Sequence, residues 1–327
     1  MSNVEDHPQI TECASAPTGA QVITYRDVPL GGPRSMTVRR TLPSRERTLI
    51  GAWCFVDHYG PDDVAVSGGM SVAPHPHIGL QTVSWLFTGE VEHRDSAGNH
   101  AFVRPGELNL MTAGRGISHS EISTAGTTTL HGAQLWVALP EDARAADPTF
   151  AHYAPDAVDG AGWSARVFLG SLAGSTSPVV TATPLLGVEV LLEPGVEAEF
   201  AVDAAYELGI LVDAGSVHVN GLTVDRAELG YLPPGESRLF LRAGEEPVRL
   251  LVLGGPPFGE AIVMWWNFIG RTHEDIEAAR TEWQRQIEGV SDSQEVAPGT
   301  FGTVIGDHLP PIPAPALPNG VRLKERR

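Results

Sequence analysis

Two short motifs carry residue types that bind metal ions. His75-Pro76-His77 stands just before an alternating stretch, TVSWLFTGEVEHRD, and His119-Ser120-Glu121 follows about 44 residues later, after the tight AGRG turn at 113–116. In an extended chain, residues two apart point to the same side. Each pair can therefore aim both of its side chains at one ion. Two such pairs facing into one enclosure offer three imidazole nitrogens and one carboxylate, a set that suits one divalent transition metal: Fe(II) first, with Mn, Ni, Cu or Zn as alternatives. The set has no thiolate, which disfavours a structural zinc site of the cysteine type. Glu121 is also the candidate general base, because a carboxylate beside a metal can take the proton of a bound hydroxyl. A lone His-x-His is ordinarily a packed or surface pair; a second pair of matching spacing in the same β unit makes it a site.

The elements that must hold these residues read as strands and turns. Val83, Trp85 and Phe87 share one face by alternation, and Gly89 breaks the run as a turn does. The unit recurs. GEV at 89–91 and PGELNLMTAG at 105–114 correspond to GSV at 215–217 and RAELGYLPPG at 226–235. Two copies of roughly 90 residues fit a pair of small antiparallel barrels. Counted from the aligned glycines, the second copy has Ala201, Asp203, Phe240 and Arg242 in place of His75, His77, His119 and Glu121. All four ligands are replaced together, so the second barrel is expected to be metal-free.

The expected organisation is a flexible tail at 1–20, a metal-binding barrel at 21–145, a linker rich in Ala, Asp and Pro at 146–164, a second barrel at 165–258, and a helix with a Pro-rich strap at 259–327. Thr272-x-x-Asp275 imitates a capping box, and Ile276, Ala279, Trp283 and Ile287 supply a helical apolar stripe. The PPIPAPALP run is expected to lie extended over the surface. Such a helix and strap can close an open end of either barrel.

With 36 Gly and 26 Pro in 327 residues, many short strands with tight turns are favoured over a helical bundle. The net charge of −18 repels phosphate backbones and argues against direct nucleic-acid binding. Cys13 and Cys54 make no disulfide framework, and the acidic N-terminus lacks the pattern of a signal peptide. No run approaches the roughly 18 apolar residues a membrane helix needs. The expectation is a soluble cytoplasmic protein, monomeric, without membrane contact.

The stretch HPHIGLQTVSWLFTGEVEHRDSAGN with RPGELNLMTAGRGISHSE resembles the signature of the pirin family, within the bicupins of the cupin superfamily. The likeness is strongest over 53–140, from WCFVDHYGP to LHGAQLWVALP, and weaker through the second barrel. It implies an all-β fold of two cupin-like antiparallel barrels with a C-terminal helix and extended tail, and iron held by His75, His77, His119 and Glu121. It further implies either a metal-dependent dioxygenase resembling quercetin 2,3-dioxygenase, acting on dioxygen and a flavonol or related small aromatic or enol, or an iron-dependent redox sensor that binds a transcription factor or metabolic enzyme. Gln81 stands where the family often has Glu, and Ile78 where it usually has Arg; both are expected to alter the surroundings of the metal. VMWWNFIGRTHEDI resembles a bacterial branch.

Other polar residues have plainer readings. His93 and His100 flank the RDSAGN turn and are expected to be exposed hairpin residues. Asp57 and His58 are assigned a turn or packing role. Gln134 and Trp136 are candidates to line the pocket, Cys54 is a small buried hydrophobe, and Trp265, Trp266 and Phe268 pack the second barrel against the helix.

Overall fold

Alternation in the strand Leu80–Thr88 decides where the two halves of the molecule meet. Its residues Val83, Trp85 and Phe87 enter one apolar cluster together with Phe168, Leu229 and Leu251 from the second half, and Trp85 stacks on Phe168 with ring centroids 4.5 Å apart. Thr82, Ser84 and Leu86 point the other way, into the first barrel. The computed structural model describes residues 19–30, 36–290 and 296–326; most of the expected tail at 1–20 lies outside them. Truncating an aromatic ring in such a cluster costs about 3–5 kcal/mol, so this interface is a true core.

Each half contains a seven-stranded and a four-stranded antiparallel sheet. In the first half the large sheet runs, in spatial order, Thr149–Tyr153, Leu108–Thr112, Leu80–Thr88, Thr129–Ala138, Trp53–Asp63, Met36–Leu42, Arg26–Leu30. The small one runs Ser71–His77, Ile117–Ser123, Val91–Asp95, His100–Val103. The second half repeats the small sheet as Glu197–Ala201, Arg238–Ala243, Val217–Val219, Leu222–Val224. The expected all-β pair of barrels is the observed architecture.

The register of the repeat differs from the count by glycines. His75 lies opposite His119 in the first barrel, whereas Phe240 lies opposite Glu199 in the second. Ala201, Asp203, Phe240 and Arg242 all face solvent, and Phe200, Leu239 and Leu241 are the residues that face inward. The turns between the copies differ in length, so a count anchored on glycines lands on the wrong face of the strand. The interior of the second barrel is packed with aliphatic side chains from both of its sheets.

Two boundaries also fall differently. Gln21–Ile23 pairs with Leu229–Tyr231 and so belongs to the sheet of the second barrel, not the first. The stretch 146–164 is no simple linker: Thr149–Tyr153 extends the first large sheet, and Ala157–Gly160 extends the second. These are short, partly exposed edge strands, where polar and small residues are tolerated and blur the alternation.

The C-terminal residues close the first barrel. Thr272 and Asp275 form the reciprocal capping box of helix His273–Gln286, with Asp in the role usually taken by Glu. Ile276, Ala279 and Trp283 are buried against Trp265, Trp266 and Phe268, and this cluster also takes in Ile78 and Phe301. The tryptophans thus pack the helix onto the first barrel rather than the second, because Ile78 pairs directly with Phe268. The strap is extended as expected: Ile312 N–H donates to Pro74 O at 2.8 Å, and the Trp283 indole N–H to Ile312 O at 2.8 Å. Cys54 is fully buried among apolar side chains, and burial pushes its thiol far above its ordinary range.

Candidate metal centre

The strands Ser71–His77 and Ile117–Ser123 pair so that His75 opposes His119. Their period of two turns His75, His77 and His119 inward, and all three are fully buried. The rings gather with centroids 4.3 to 5.1 Å apart, and His77 Nε2 lies 3.1 Å from His119 Nε2. The ligand atoms of the three histidines form one group within 4.8 Å of one another, and Glu121, also buried, falls into a second such group with His93 and His119.

The Nδ1 partners decide what the Nε2 atoms offer. His75 Nδ1 is 2.8 Å from Ala73 O, and His77 Nδ1 is 3.0 Å from Asn267 O. A carbonyl oxygen only accepts, so each Nδ1 carries the proton and each Nε2 keeps its lone pair. Burial lowers the pKa of His75 to about 4, and burial with the neighbouring His75 lowers those of His77 and His119 well below their ordinary value. The rings are therefore neutral near pH 7. Bare lone pairs at this separation repel each other, and His75 Nε2 is buried with no hydrogen-bond partner among the described residues. A divalent cation satisfies all of them at once. The buried donor set fits a transition metal.

The large sheet supplies the opposite wall. Ser84 Oγ lies 2.9 Å from Gln134 Oε1 and 3.3 Å from Glu121 Oε1. Trp136 meets the His77 ring edge-on at 5.2 Å and is stacked on Phe55. Gln134 and Trp136 thus face the barrel interior, where Gln134 Nε2 and Trp136 Nε1 are buried N–H donors without an acceptor among the described residues. Gln81 and Ile78 do not surround the centre. Gln81 shares the face of Val83 and Trp85 and donates to Thr112 Oγ1 at 2.9 Å, on the side turned away from the histidines. Ile78 is one residue past His77, and so lies among the C-terminal aromatic side chains instead.

His93 is not an exposed hairpin residue. It is 3% exposed, directly opposite Glu121 across the strand pair, with its Nδ1 3.4 Å from His119 Nδ1. Its Nε2 lies 3.3 Å from Asp95 Oδ2. Burial pushes the Asp95 carboxyl up, but hydrogen bonds from His93 and Asn99 outweigh this and hold it below the usual range. The alternation Val91, His93, Asp95 was the available signal; the turn sequence that follows masked it. His100 is exposed as expected and bonds Glu92 at 2.7 Å.

Asp57 and His58 occupy a buried strand, not a turn. Asp57 takes a two-pronged ion pair from Arg40, through Nε at 2.7 Å and Nη2 at 2.8 Å. His58 reaches across to the second barrel, its Nε2 2.7 Å from Asp213 Oδ1, where His131 and Arg249 also bond the same carboxylate. The sequence offered no sign of this cluster, since 155 residues separate His58 from Asp213.

Comparison with known proteins places the chain in a family. The model of the Pirin family matches residues 35–137, and that of the Pirin C-terminal cupin domain matches 187–288. A candidate quercetin 2,3-dioxygenase of Pseudomonas aeruginosa is 39% identical over 324 residues, covering 97% of this chain and 98% of that protein. A pirin-like protein of Caulobacter vibrioides is 38% identical over 76% of this chain and 88% of its own length. The crystal structure of a quercetin 2,3-dioxygenase from Acinetobacter baumannii superposes with a TM-score of 0.83 at 36% identity, covering 93% of this chain and 98% of that one. No described helix is long and apolar enough to cross a membrane. Matched in both halves and along nearly its whole length, the chain belongs to the pirin family.

Proposed function

We propose that this pirin is a metal-dependent dioxygenase that opens the ring of a flavonol or related enol, in the manner of quercetin 2,3-dioxygenase. The observation that carries the reading is the convergence of three buried histidines, with proton-free Nε2 atoms on His75 and His77, and the buried Glu121 grouped with His119. The similarity to proteins named quercetin 2,3-dioxygenase over almost the full chain supports the substrate class. His75, His77, His119 and Glu121 hold the ion, for which Fe(II) is the first choice. When bound, the metal supplies Lewis acidity toward an enol oxygen and a place for dioxygen beside it.

The residues of the chain do the rest. Glu121 Oε1 takes the hydroxyl proton of the substrate, leaving the electron-rich enolate that ring opening requires. Ser84 Oγ has one proton to give and lies nearer Gln134 than Glu121, so it does not lock the carboxylate. Gln134 Nε2 and Trp136 Nε1 are aimed to hold substrate oxygens. The neutral histidines fix geometry and leave the ion its positive charge.

Protein loaded in turn with Fe(II), Mn(II) and Ni(II) should consume quercetin, seen as loss of flavonol absorbance, and release carbon monoxide. Glu121→Gln, compared at equal metal content by metal analysis, should lose turnover by about 100-fold or more, the usual scale for losing a general base. Absence of turnover with all three metals would discard the flavonol assignment.

A further inference from the structure

We infer that His93 and Asp95 form a positioning relay that fixes the tautomer and ring orientation of His119, and so sets the strength of the metal site; this rests on the reading that the quartet binds metal. Asp95 is anchored first. Its Oδ1 accepts the backbone N–H groups of Ala97 and Asn99, each at 3.0 Å, and its Oδ2 accepts Asn99 Nδ2 at 2.9 Å. A carboxylate so surrounded by donors is an acceptor only, hence His93 Nε2 must carry the proton it points at Oδ2. A neutral His93 then has its lone pair on Nδ1. The facing atom, His119 Nδ1, must in turn be the protonated one, which leaves the His119 lone pair on Nε2, where His77 Nε2 is 3.1 Å away.

The chain of donors thus runs in one direction, from His119 through His93 to Asp95. The three ligand histidines receive the same instruction from three different sources. For His75 and His77 it comes from backbone carbonyls, which no side-chain substitution removes. For His119 it comes from side chains, so this arm alone is open to tuning by mutation. Outer partners of this kind typically account for 10–100-fold in metal affinity.

Asp95→Asn keeps shape and the turn bonds through Oδ1, but its amide presents N–H groups to His93 Nε2 and reverses the chain. Cobalt(II) affinity, measured by competition with a chromophoric chelator, should fall about 10–100-fold in Asp95→Asn and in His93→Leu. The visible absorption of the cobalt-loaded protein should change with it. His93→Asn, whose Oδ1 can stand where Nδ1 stood and accept from His119, should keep most of the affinity and the unaltered spectrum. Apo-protein melting curves identify any variant that fails to fold, and Asp95→Asn with His93→Asn then carry the test. Unchanged affinity and spectrum in Asp95→Asn and His93→Leu overturn the relay, as does a loss in His93→Asn equal to that in His93→Leu. Failure of the unaltered protein to bind cobalt overturns the quartet itself and the relay with it.

Discussion

His75, His77 and His119 inside the first barrel, and His58 and His131 with Asp213 between the barrels, are histidine clusters gathered at similar distances, yet they place their protons differently. Both groups have ligand atoms within 4.8 Å of one another, and both are buried. Inside the barrel, Nδ1 of His75 and of His77 meets a carbonyl, so Nε2 is bare. Between the barrels, His58 Nδ1 meets Arg39 Nη1 at 3.2 Å. A guanidinium can only donate, so His58 Nδ1 accepts and its Nε2 holds the proton that bonds Asp213. His131 Nε2 donates to the same oxygen, and Arg249 Nε donates to the other at 2.6 Å. The second cluster is already filled with protons where a metal would need lone pairs. What stands behind the rings therefore decides whether a buried histidine cluster offers lone pairs to an ion or closes on itself as a hydrogen-bonded latch.

That contrast can be broken by experiment. His119→Ala should abolish stoichiometric metal binding, read by metal analysis after gel filtration, while His131→Ala leaves the metal content at one per chain. Metal loss in His131→Ala would mean that the latch is itself a site. Asp213→Asn leaves Arg249 and both histidines facing a neutral amide; unpairing a buried ion of this kind costs about 3–5 kcal/mol. Urea unfolding should show that loss, with metal affinity of the folded protein unchanged.

The latch should also register acid. Burial lowers the pKa of His58, and although burial raises that of Asp213, its bonds from His131 and His58 pull it well below the ordinary value. A depressed histidine is neutral in the fold and charged in the unfolded chain below pH 6.5, the ordinary value for the side chain. Its stability contribution is thus lost as pH falls below that value. The depressed carboxylate contributes above the ordinary value of 3.8 and loses that contribution as pH falls toward its folded value. Both act in the same direction. His58→Gln should flatten the fall in melting temperature between about pH 6.5 and 5. The smallest effect is expected from Arg39→Gln, whose carbonyl can accept from His58 Nδ1 and free Nε2. A weak second equivalent of zinc should then appear in calorimetry, absent in the unaltered protein; its absence would show that Arg39 is not what excludes metal.

The sequence exposed the quartet because its spacing is local: His-x-His and His-x-Glu obey the strand period regardless of what surrounds them. The capping box at Thr272 and Asp275 and the apolar face of Val83, Trp85 and Phe87 were legible for the same reason. The latch was not, since its members come from both barrels. His93 and Asp95 obey the same alternation as the ligands, but the RDSAGN turn beside them suggested exposure. Gln81 and Ile78 were expected beside the metal because they stand where the family carries Glu and Arg, whereas strand parity sends one to the opposite face and the chain's exit from the strand carries off the other. The strands at 149–153 and 157–160 were hidden by a composition that edge positions permit.

One of the candidate ligands takes its orientation from far along the chain. Asn267 O, which fixes His77, sits in the hairpin between Val263–Trp265 and Phe268–Gly270, held down by the helix and strap. Docking of the C-terminal segment and occupancy of the metal centre are therefore linked equilibria, each favouring the other by the same free energy. Metal should slow proteolysis of the strap, and chelation should hasten it. A protease applied to the tail becomes a gauge of an ion buried in the barrel that the tail closes.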